Sequence, residues 1–123
     1  MTAQSLEVAA AFFSENHSSF LSARRVGQLL GVTQSELAKL VGVARNTLTA
    51  KSGARKVDQA LSPVVRILAM ASEMAGDESR AAIWFKHQPI PGWAGKTAYD
   101  LVGEGKADKV LAYLEAVRSG VYA

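Results

Sequence analysis

The sequence predicts an all-α fold, and three observations carry that prediction. Apolar residues recur at helical spacing in several separate stretches, most plainly Ala107, Val110, Leu111, Leu114 and Val117. Ser, Thr or Asp stands just ahead of such stretches and Gly just behind them, the residue types that start and stop helices. No alternating apolar–polar run is long enough to read as a strand.

In chain order, Leu6, Val8, Ala9, Phe12 and Phe13 predict a short first helix that covers core. His17 follows in a polar stretch and reads as exposed and inert. Ser22 to Leu30 reads as the next helix, with Val26, Leu29 and Leu30 inward, Arg24 and Arg25 outward, and Gly31 ending it. Ser52 to Lys56 reads as a flexible basic connector. Ser62 and Pro63 read as the start of a helix ending at Gly76. That helix is apolar around much of its circumference, which suits a central core helix or a dimer seam. Asp77 caps a helix from Glu78 to about Lys86, with Ala81, Ala82, Trp84 and Phe85 inward. His87 to Lys96 contains Pro89 and Pro91 and reads as a rigid loop. Thr97 with Asp100 opens a short helix to Val102, Gly103 to Gly105 breaks it, and Lys106 to Ser119 is the last helix, closed by Gly120.

The stretch from Thr33 to Leu48 predicts a helix-turn-helix. Leu37, Leu40 and Val41 share one face, Thr33 and Glu36 have capping-box spacing, Gly42 permits a sharp turn, and small Ala38 lets two helices cross closely. An ordinary helical hairpin shows the same pattern. The second helix distinguishes them, because it opens with Arg45, Asn46 and Thr47, side chains suited to base edges and phosphates in a major groove. Gln34, at the start of the first helix, is placed to fasten that helix to a phosphate. Lys51 and Arg55 add sequence-independent affinity.

Composition bounds the remaining classes. At 123 residues the chain holds one domain or two small ones, and with 49% apolar and 20% charged residues it buries a core. The expected division is a DNA-binding region over 1–60 and a second helical domain over 61–123. Absence of cysteine excludes disulfides, thiolate zinc sites and cysteine nucleophiles, and a cytoplasmic location is the expectation. Neither a signal peptide nor a membrane span is read. The net charge of +3 lies wholly in residues 1–62, where seven basic side chains face four acidic ones; residues 63–123 balance. That placement suits phosphate contact.

Enzyme signals are weak. Gly95-Lys96-Thr97 imitates the end of a phosphate-binding loop, but Ile90 stands where the motif needs Gly and a helix precedes it instead of a strand. The two histidines are far apart, no metal-ligand spacing appears, and no serine sits in a nucleophile frame.

The Thr33–Leu48 stretch resembles the helix-turn-helix of Xre (phage-repressor-like) regulators, though Lys51 stands where that family usually carries a large apolar residue. Ala81 to Pro91, Gly95-Lys96-Thr97, Leu101-Val102, Gly105, Val110, Leu114 and Gly120-Val121-Tyr122 resemble the toxin-binding region of Xre/MbcA/ParS-type antitoxins. Relatives often begin the short helix with Pro, where this chain has Ala98. The resemblance implies a dimeric antitoxin that represses its own operon by binding operator DNA. It also implies a toxin partner, commonly a RES-domain enzyme that destroys NAD⁺, whose active-site entrance the antitoxin's C-terminal segment obstructs. Carried over, the toxin-contacting residues are Glu115, Arg118, Gly120, Val121, Tyr122 and Ala123 with its carboxylate. The NAD⁺ chemistry would belong to the partner, so this chain needs no cofactor. Two other readings stand beside it: a stand-alone repressor, and a protein-binding module whose helix-turn-helix no longer touches DNA.

Overall fold

A computed structural model describes residues 22–49 and 54–120. The helix expected at 6–13 lies outside the described residues. Seven helices follow among those described: α1 (Ala23–Leu30), α2 (Gln34–Val41), α3 (Arg45–Thr49), α4 (Ala54–Ala75), α5 (Glu78–His87), α6 (Ala98–Gly103) and α7 (Ala107–Arg118). No strand occurs among the described residues, only an isolated bridge between Pro89 and Thr97. The all-α expectation holds.

Local chemistry sets the helix ends. The Ser22 hydroxyl accepts from the Arg25 N–H, and Gly31 closes α1 at φ +68°. Thr33 and Glu36 form the capping box, with Oγ1 accepting from the Glu36 N–H at 3.0 Å and Oε1 from the Thr33 N–H at 2.9 Å. Thr97 and Asp100 repeat it at α6. Asp77 caps α5, its Oδ1 accepting from the Arg80 N–H at 2.7 Å.

The connector expected at 52–56 and the helix start at Ser62-Pro63 are corrected. α4 begins at Ala54 and runs 22 residues, so Arg55 and Lys56 are helical and Pro63 lies inside. Val57, Leu61, Val64 and Leu68 are all buried and form one continuous stripe. Burying that stripe outweighs the missing Pro63 N–H, a loss of about 3 kcal/mol in a free helix. α4 packs against α1, α3, α5 and α7. It is therefore the central core helix, stopped at Gly76 where φ is +99°.

One core of buried residues runs from Val26 and Leu37 through Leu61, Ile67 and Leu68 to Phe85, Ile90, Leu101 and Val110. It joins the helices before residue 50 to those after residue 77, with α1 packed on α5 and α2 on α6. The 88–97 loop feeds it too. Ile90 donates its N–H to the Lys96 carbonyl at 2.8 Å while its side chain is buried. Trp84, expected inward, is only half-buried.

Candidate functional site

The first candidate surface is built on α2 and α3. α2 ends where Gly42 takes φ +76°, and the Val43 N–H donates to the Ala38 carbonyl at 3.0 Å, turning the chain within three residues. Ala38 and Leu37 are buried on the α2 side and Leu48 on the α3 side, so the apolar faces meet as the spacing predicts. The first residues of α3 remain on the surface: Arg45 and Asn46 are exposed and Thr47 is half-buried. Arg55 is exposed in the first turn of α4. Lys51 lies outside the described residues.

Gln34 has an internal partner. Its Nε2 donates to the Ala23 carbonyl at 3.3 Å, tying the first residue of α2 to the first residue of α1. The amide passes over the bare Cα of Gly27, where an added Cβ would stand 2.8 Å from it. The Thr33 backbone hydrogen bond, with its hydroxyl second, holds the Glu36 carboxyl below its ordinary value.

The second candidate surface is the end of α7. Glu115 and Arg118 pair at 2.5 Å, one turn apart, on the exposed side of the last turn. The Ser119 hydroxyl donates to the Ala116 carbonyl at 3.0 Å. Gly120 takes φ +87° and its N–H donates to the Val117 carbonyl at 3.0 Å, which ends the helix and turns the chain. Glu115, Arg118 and Gly120 are thus brought to one helix end. Val121, Tyr122 and Ala123 lie outside the described residues.

Between these surfaces lies a brace that sequence reasoning missed. The Lys96 ammonium stands 2.8 Å from Glu104 Oε2, and the Lys106 ammonium 3.3 Å from Oε1. Lys106 also lies over the Trp93 ring, 5.5 Å from its centroid. The Lys96 hydrogen bond, with Lys106 adding to it, holds the Glu104 carboxyl below its ordinary value. One carboxylate therefore pins the 88–97 loop to the turn between α6 and α7. Its partners stand eight residues before it and two after, a spacing that belongs to no helical or strand rule.

α2 and α6 meet along a shallow groove lined by Glu36, Lys39, Leu40, Tyr99, Asp100 and Gly103. Tyr99 meets Phe85 edge-on, with centroids 6.1 Å apart and planes at 82°. Burial, with Glu36 and Asp100 nearby, pushes the Tyr99 hydroxyl up from its ordinary value.

No group of three or more His, Asp or Glu side chains among the described residues is arranged to hold a metal ion. No helix there is long and apolar enough to cross a membrane.

Neither the curated proteins nor the solved structures compared with the chain give a match. A protein-family model does, over residues 70–120: the antitoxin Xre/MbcA/ParS C-terminal toxin-binding domain. The match takes in the end of α4, all of α5 to α7, the Glu104 brace and Gly120. Over that segment the chain is similar to the toxin-binding domain of Xre/MbcA/ParS antitoxins.

Proposed function

We propose that this chain is the antitoxin of a type II toxin–antitoxin pair, cytoplasmic and dimeric, that neutralises a RES-domain NAD⁺-degrading toxin and represses its own operon. The match over residues 70–120 carries the reading. In it, residues 1–60 form the DNA-binding unit and 61–123 the toxin-binding domain. The chain acts by binding, not catalysis, and the NAD⁺ chemistry belongs to its partner.

The toxin-contacting set is Glu115, Arg118, Gly120, Val121, Tyr122 and the carboxylate of Ala123. Two observations support it: the Glu115–Arg118 pair is presented on an exposed helix end, and Gly120 redirects the chain there. An aromatic at such a point makes an efficient anchor in a partner's pocket.

The DNA-contacting set is Arg45 and Asn46 at the exposed opening of α3, with Thr47, Lys51 and Arg55 beside them. Gln34 acts there chiefly by fixing α2 against α1 through the Ala23 carbonyl. Concentration of the net positive charge before residue 63 supports this half of the reading.

Co-expression with the product of the adjacent gene tests it. The full chain should restore growth that the neighbour arrests, and a chain ending at Ser119 should not. If neither version protects while both retard promoter DNA, the protein is a stand-alone repressor.

A further inference from the structure

Two large apolar side chains stand exposed among the described residues, Met74 at 39% and Ile83 at 62%. Met74 borders a groove where the end of α4 meets α5 and α7. Ala71 and Ala75 stand one turn apart on α4, and their small side chains leave a recess that larger ones would fill. Trp84 lines it from α5, and Tyr113, Leu114 and Val117 from α7. Trp84, Tyr113 and Val117 are half-buried, so apolar surface stays open to a guest.

We propose that this groove receives one uncharged aromatic side chain of the cognate toxin. The inference rests on the antitoxin reading and names a seat for its contact. No side chain lining the groove carries a charge, so a charged guest would lose its water without gaining a partner. The recess holds about 200 Å³, against about 150 Å³ for a cavity that takes up benzene. One ring fits and a second does not. Such a ring can meet Trp84 and Tyr113 edge-on or offset, with the Met74 sulfur at its edge.

Position favours the same partner. Every lining residue falls within the 70–120 match to a toxin-binding domain. The groove also shares α7 with the exposed Glu115–Arg118 pair, and Val117 stands next to Arg118. An aromatic anchor in a pocket beside polar contacts is where interface energy concentrates. A second copy of this chain is a poorer guest, because no aromatic side chain among the described residues is exposed.

Binding of the purified adjacent-gene product to the full chain tests this, with Met74→Lys and a control, Ile83→Lys. Met74→Lys should weaken binding about thirtyfold or more, the size of an interface hot spot. Ile83 is more open and lies outside the groove, so Ile83→Lys should leave affinity within about twofold. Unchanged affinity for Met74→Lys overturns the groove and leaves the antitoxin reading standing, as do equal losses in both variants. No binding by the unaltered chain overturns both.

A second measurement does not depend on tolerance of a lysine. The chain contains no cysteine, so Met74→Cys places a single thiol at the groove. Its alkylation, read by the mass of this chain, should slow about tenfold or more when the adjacent-gene product binds. An unchanged rate overturns the proposal. A rate in the free chain already about tenfold below that of Ile83→Cys overturns it too. Recovery on ending the chain at Ser119 would then seat the chain's own tail in the groove, and recovery on dilution a second copy.

Discussion

Gln34 and Ala23 are joined by a 3.3 Å hydrogen bond from the Gln34 side-chain amide to the Ala23 carbonyl, across the bare face of Gly27. The bond ties the first residue of α2 to the first residue of α1, beside the core contacts of Val26, Leu30 and Leu37. Gln34→Ala should lower stability by about 0.5–1.5 kcal/mol, the net worth of one partly buried hydrogen bond. Urea unfolding of the two chains measures it. An unchanged midpoint would mean that the amide carries no structural role.

Asn46 and Arg55 stand on different helices and should fail in different ways. If Asn46 reads a base edge, Asn46→Ala should cost about 1–3 kcal/mol on operator DNA and leave random DNA nearly unaffected. Arg55→Ala should weaken both DNAs alike and reduce the salt slope of binding by about one. Anisotropy titrations at several salt concentrations separate the two. Equal losses on both DNAs for Asn46→Ala would remove it from base reading.

Pro63 sits inside α4 and withholds an N–H from the Gln59 carbonyl one turn back. Pro63→Ala returns that donor to a helix whose buried stripe is already in place. The change should raise stability by roughly 1–3 kcal/mol. The lower end is expected because the half-buried ring gives up some packing. A higher urea midpoint at constant slope is the signature; a lower midpoint would show that ring packing outweighs the bond.

Glu104 holds two ammonium groups, and its carboxyl is more acidic folded than unfolded. Its contribution is therefore complete above the ordinary value of 4.5 and is lost as pH falls through the lower folded value. Tm should drop across that acid range, and Glu104→Gln should flatten that part of the profile. Identical profiles for both chains would contradict the brace.

Much of this was legible in the sequence, because capping chemistry and helical spacing are local. Thr33–Glu36 and Thr97–Asp100 are separated by three residues, and their boxes form as that spacing predicts. The helix start at Pro63 misled for a physical reason: proline suits a first turn, and only tertiary burial of Val57 and Leu61 shows that α4 continues through it. The Glu104 brace and the Phe85–Tyr99 contact join separate elements, so no local spacing announces them. In the candidate site, exposure of Arg45 and Asn46 followed from helix phase. Engagement of Gln34 with Ala23 did not, since it depends on how two helices cross.

The most direct measurement is the affinity of the purified adjacent-gene product for the full chain and for a chain ending at Ser119, by calorimetry, with helix content checked in both. The antitoxin reading predicts tight binding by the full chain and a loss of at least a hundredfold, about 2.7 kcal/mol, on truncation. Equal affinities for both chains, or no binding by the full chain, would contradict it.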